Sequence, residues 1–65
     1  MLDHIDVAII RYLARTGAVR NTNQIADTLK INWNTAYKHL VKLNQYGYLI
    51  KKREGDSWYW RIIKL

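Results

Sequence analysis

Apolar positions recur at helical spacing through the first two thirds of the chain and alternate strand-like through the last third. Ile5, Ile9, Tyr12 and Leu13, with Ala8, form a stripe that predicts a first helix from about Asp3 or His4 to Thr16. Asp3 suits the N-cap, and Asp6 adds a second anion at the positive helix end. Arg15 and Gly17 suit the C-terminus. Val7 and Ile10 widen the stripe past one face, which suggests burial both by the domain core and by a second subunit.

The stretch from Asn21 to Gly47 predicts two helices around the tight turn Lys30-Ile31-Asn32. Asn21 with Gln24 is a capping box, and Ile25, Ala26 and Leu29 face inward. Ile31 plugs the turn, and Lys30 stands where glycine often begins such turns. The next helix spans 33–46, capped by Asn32 and ended by Gly47. Steps of about 100° put Ala36, Leu40 and Leu43 on one face and Asn34, Lys38, Val41 and Gln45 on the other.

Tyr48 to Arg53 predicts a strand, Glu54 to Ser57 a turn, and Trp58 to Lys64 the returning strand. Ala18 to Arg20 is expected to pair as a short strand with this hairpin. Trp58, Trp60 and Ile62 share one strand face and are expected on the core. Tyr59 and Ile63 make the other face apolar too, so a homodimer through the first helix, the last strand or both is expected.

The 65 residues make one domain, 1–65, with a small core. Without cysteine there are no disulfides, thiolate metal sites or cysteine nucleophiles. No apolar run nears the roughly 20 residues of a membrane span, and the acidic start MLDHID is unlike a signal peptide. A cytoplasmic location is expected. The many isoleucines and tyrosines give a weak compositional hint of a thermophilic archaeon or its virus.

Charge sharpens the picture. Residues 1–29 carry three arginines against three aspartates. Residues 30–65 carry eight cations against two anions, so the whole excess of +6 lies on the third helix and the hairpin. A polyanionic partner is the simplest physical reason for that asymmetry, and a solubilising basic surface is the bland alternative.

Helix, turn, helix and hairpin in this order resemble the winged helix-turn-helix family. NQIADTLKINWNTAYKHLVKLNQYGYLIKK looks like the core of ArsR- and MarR-like repressors, and WYWRI like their aromatic wing strand. LDHIDVAIIRYL resembles the first helix of leucine-responsive regulators. The resemblance implies an α+β fold, three helices followed by a two-stranded β-hairpin wing. It implies a homodimeric, sequence-specific regulator of transcription that binds double-stranded DNA and is not an enzyme. Helix 33–46 would enter the major groove, with wing 48–63 near the minor groove. No cofactor or metal is expected, and 65 residues leave no room for an effector domain, so no small-molecule effector is expected.

Asn34, Tyr37, Lys38 and Val41 are the candidates for the groove-facing surface. Asparagine matches adenine, lysine guanine, and an apolar side chain the thymine methyl; a solvated helix face is the plain alternative. Thr35 and Lys42 suit phosphates, which position without specifying. Tyr37 is equally suited to packing on the helix edge. Asn21 and Asn23, at the start of the second helix, add backbone N–H groups for phosphate, with capping the main role of Asn21. Trp33 is open to three uses: covering the core rim, meeting the DNA backbone, or meeting a partner. Lys51, Lys52 and Arg53 rise toward the wing tip, where arginine suits a narrow minor groove. Arg61 projects away from the face of Trp60 and Ile62, toward phosphate or solvent. Glu54 and Asp56 break the basic pattern.

Catalysis is disfavoured. His4 and His39 lie on different helices, and no phosphate loop, nucleophile elbow or metal-ligand spacing appears. Asp3 and Asp6 would pair as catalytic carboxylates only if buried. A winged-helix protein–protein interaction module of a transcription or replication complex is the stronger rival, but it has no need of a basic, polar outer face on the third helix. Single-strand binding on Trp58, Tyr59 and Trp60 would need all three rings exposed together, whereas strand alternation separates them.

Overall fold

A computed structural model describes residues 2–16 and 19–63. The elements are α1 (His4–Thr16), β1 (Arg20–Asn21), α2 (Thr22–Leu29), α3 (Trp33–Gln45), β2 (Leu49–Glu54) and β3 (Ser57–Ile62). This is the α+β winged helix-turn-helix order, with β1 added beyond the hairpin. The sheet is antiparallel in the order β1-β3-β2, with Arg20 opposite Trp60 and Lys51 opposite Trp60 on the other side. The expected roles of Gly17, Ala18 and Lys64 lie outside the described residues.

Each helix end follows from its local sequence. At α1, the Asp3 backbone N–H donates to Asp6 Oδ2 (3.0 Å) and the Asp6 N–H to Asp3 Oδ1 (2.9 Å), a reciprocal cap built from two aspartates. At α2 the Asn21–Gln24 capping box closes both ways, at 2.8 and 3.0 Å. At α3 the Asn32 side chain accepts from the Asn34 N–H at 2.8 Å.

The two C-termini after α2 and α3 use the same device. Tyr48 N–H reaches Leu43 O and Gly47 N–H reaches Asn44 O, around Gly47 at φ +86°. After α2, Ile31 N–H reaches Ala26 O and Lys30 N–H reaches Asp27 O, around Lys30 at φ 56°, ψ 46°. Lysine therefore sits in a left-handed conformation that disfavours any side chain with a Cβ. That conformation is what the turn demands between two helices joined so tightly.

Ile9 and Leu13 from α1, Ile25 from α2, Leu40 and Leu43 from α3, Leu49 from β2 and Trp60 from β3 form one buried cluster. Ala26 and Ala36 are also buried, small enough to let α2 and α3 approach. Leu29 and Ile31, expected inside, are only half-buried. The Trp60 indole N–H donates to the buried Thr22 hydroxyl at 2.9 Å, so the largest core side chain leaves no orphan donor. Asn44 Nδ2 donates to Leu49 O at 2.9 Å and ties the end of α3 to the sheet.

Trp58 departs from the expectation. It shares a strand face with Trp60 but is 41% exposed, whereas Trp60 is fully buried. Alternation fixes which face a residue occupies, not how far along the hairpin the helices extend beneath it. Ile50 and Ile63 are exposed as well, and Tyr59 is half-buried. The outer side of the hairpin therefore exposes Ile50 and Ile63 beside the cations Lys52 and Arg61, a mixed face and not the wholly apolar one expected.

Candidate nucleic-acid interface

The outer face of α3 separates into free and committed residues. Asn34 and Lys38 are exposed, and their side chains make no hydrogen bond or ion pair among the described residues. Gln45 continues that exposed face. Thr35 is half-buried. Val41 is also half-buried and packs on the core cluster, so it offers less to a groove than expected. Tyr37 is a bridge: its ring stacks on Trp33 (centroids 5.1 Å, 7° between planes) and meets Trp60 edge-on (6.2 Å, 70°). Of its two expected uses, packing is the one its surroundings favour. Trp33 remains 45% exposed at the start of the helix.

Lys42 is committed elsewhere. Its ammonium pairs with the fully buried Asp6 carboxylate and lies 3.7 Å from Asp3 Oδ2. Asp6 Oδ1 also meets His39 Nδ1 at 2.7 Å. Burial pushes the Asp6 carboxyl up, but the Lys42, Asp3 and His39 contacts outweigh it and hold Asp6 below the ordinary 3.8. The hydrogen bond from the Asp6 backbone lowers Asp3 as well. The same Asp6 contact raises Lys42 above 10.5. Two acidic groups and His39 thus bring ligand atoms within 4.8 Å of one another, yet the cation among them is supplied by the chain itself. Asp6 is buried as a catalytic carboxylate would be, but it is consumed in joining α1 to α3.

On the wing, register divides the basic run. Lys51 and Arg53 lie opposite Trp60 and Trp58, on the inner face of the hairpin. Lys51 Nζ stands 4.7 Å from the Trp58 ring centroid, and the Arg53 guanidinium carbon 5.7 Å from it. Arg53 Nε donates to Gly55 O at 3.0 Å, which folds the side chain back along its own turn. Lys52 lies opposite Tyr59, and Arg61 opposite Ile50, on the outer face; both are exposed. The turn has two loop residues, Gly55 and Asp56, with Gly55 at φ +60°, the positive-φ first position of a II′ hairpin.

At the start of α2, Asn21 is spent as the cap, while Asn23 is exposed. Between α2, α3 and the wing lies an open cleft of about 450 Å³, walled by Trp33, Tyr37 and Trp58 and floored by Thr22 and Asn23. The cleft was not foreseen, nor was the part of Trp58 in it. Counting the two-residue turn would have placed Trp58 opposite Arg53, but only the spatial position of α3 shows what the ring faces.

No protein-family model matches the chain. An uncharacterised HTH-type transcriptional regulator of Methanocaldococcus jannaschii is 33% identical over 67 residues, covering 98% of this chain. This chain spans only 16% of that relative's length. A crystal structure of a possible transcriptional regulatory protein (fragment 1–100) of Mycobacterium bovis has a TM-score of 0.84 and 30% identity, covering 92% of this chain and 62% of that one. A solution structure of a homodimeric winged helix-turn-helix DNA-binding domain of the same organism, from a possible ArsR-family regulator, also gives 0.84 and 30%, covering 92% and 54%. A structure from HOP2 gives 0.85 at 19% identity, covering 91% and 98%, which shows a shared fold alone.

Proposed function

We propose that this chain, which shares the winged helix-turn-helix fold of its solved neighbours, is a sequence-specific, double-stranded DNA-binding transcriptional regulator acting as a homodimer. The observation that carries the reading is the division of α3. Ala36, Leu40 and Leu43 are fully buried, while Asn34 and Lys38 stand free on the opposite side. A helix of that kind, flanked by Asn23 and by the cations of β2, has the shape and charge to enter a major groove. Asn34 and Lys38 read base edges. Asn23, Thr35 and the first N–H groups of α2 take phosphate. Lys51, Lys52, Arg53 and Arg61 hold the adjacent backbone from the wing. The reading requires no catalytic step and no cofactor.

The homodimer rests on the exposed Val7 of α1 and on Ile50 and Ile63 around the hairpin. Two protomers related by a two-fold would address half-sites about one helical turn, ~34 Å, apart. Titration of the chain with duplex DNA at several salt concentrations tests the reading. Affinity should fall steeply as salt rises; an affinity indifferent to salt, or no duplex binding at low salt, would remove it.

A further inference from the structure

Two tryptophans left in water beside one cleft call for a ligand. Trp33 is 45% and Trp58 41% exposed, and both border the same ~450 Å³ space, within the size range of sites that hold small ligands. Resting on the DNA-binding reading above, we propose that this cleft captures one unpaired nucleobase, guanine in preference to the other three, at an interruption in the bound duplex.

The walls fit a planar ring. Trp33 and Tyr37, both bordering the cleft, already lie in a parallel stack, so the site offers planar rings beside which a base can be received. Lys51 and Arg53 surround Trp58 with positive charge where the nucleotide's phosphates would pass. Paired bases inside a duplex cannot reach such a cleft, because their faces are covered by their neighbours. An unpaired base can swing out of the stack at modest cost.

Asp56 decides which base. It is the one charged residue among the described residues lining the cleft, and its carboxylate would repel a phosphate placed there. A carboxylate offers two acceptors and no donor. Guanine alone presents two adjacent donors, N1–H and N2–H₂, on its Watson–Crick edge. Adenine and cytosine set a ring-nitrogen acceptor beside their amino group, and thymine has a single N–H between two carbonyls. The acidic residue that spoils the wing as a phosphate clamp thus becomes a reader of guanine.

The test uses a blunt duplex and four versions of it that carry one bulged G, A, C or T. Binding is followed by anisotropy of labelled DNA and by tryptophan quenching. The G-bulged duplex should bind ~10-fold tighter than the paired one, the ratio of one base–aromatic stack. Trp58→Ala should erase that gain and leave paired-duplex affinity unchanged. Asp56→Asn should level the four bulges while keeping a common advantage over the paired duplex. Circular dichroism confirms that each variant is folded. Equal affinity for paired and bulged duplexes would overturn the proposal and leave the DNA-binding reading intact. A bulge advantage equal for all four bases, or one that survives Trp58→Ala, would also overturn it. Failure to bind any of the five duplexes would remove both readings.

Discussion

Lys42 on α3 gives its ammonium to Asp6 on α1, so a lysine expected to meet phosphate is neutralised from within. Asp6 has no exposure to water; Ala there would leave Lys42 and His39 without their acceptor, and Asn would keep one neutral acceptor in place of a charged pair of oxygens. Asp6→Asn is expected to cost about 2–3 kcal/mol, just under the range for breaking a fully buried pair, because Lys42 keeps some access to water. Chemical denaturation of the two proteins measures it.

Acid should reveal the same contact. Asp6 and Asp3 have folded-state pKa values below the ordinary 3.8, so their contribution is complete above that pH and is lost as the pH falls through the lowered values. Lys42 is raised above 10.5, so its share is complete below 10.5 and is lost as the pH climbs past the raised value. Thermal melts of the parent and of Asp6→Asn should therefore differ at pH 6 and converge well below pH 3.8. A constant gap across that range would refute the assignment.

Lys38 and Lys42 sit four residues apart on one helix but should behave differently toward DNA. Lys38→Gln is expected to weaken duplex binding and to reduce the salt dependence by about one unit of slope. Lys42→Gln should leave that slope nearly unchanged, since its charge is already countered by Asp6 and Asp3. Equal slopes for the two variants would show that Lys42 is released on binding.

Lys30 holds a left-handed backbone between α2 and α3. Lys30→Gly should relieve that strain and stabilise the domain by roughly 0.5–1 kcal/mol, the gain on removing a Cβ from such a position, net of added chain entropy. The midpoint of urea unfolding is the measure, and a lower midpoint would contradict it.

Thr22→Val keeps the volume but removes the acceptor for the Trp60 indole N–H, which is buried. A loss of about 1–3 kcal/mol is expected from the orphaned donor. Thr22→Ser, which restores the hydroxyl, should recover most of it.

Much of the fold was legible because its signals are local. Asn21 with Gln24, Asn32 before α3 and Gly47 after it each act within a few residues of themselves, and each appears where the sequence places it. The inward set Ala36, Leu40 and Leu43 follows from periodicity alone. What escaped is long-range. Asp6 and Lys42 lie on different helices, and nothing near either residue announces the other. Lys42 therefore looked like a free cation. Val41 and Trp58 failed in the same manner: face could be read from spacing, but depth depends on where another element happens to end.

Among the described residues, the sheet order β1-β3-β2 leaves one flank of β2 without a partner strand, a template on which a second strand could grow. That flank belongs to Lys51, Lys52 and Arg53, and two copies aligned antiparallel would press cation against cation. The run assigned to DNA thus also guards against aggregation. The guard is purely electrostatic, so concentrated salt, or a polyanion that neutralises the lysines while leaving the strand open, would lift it.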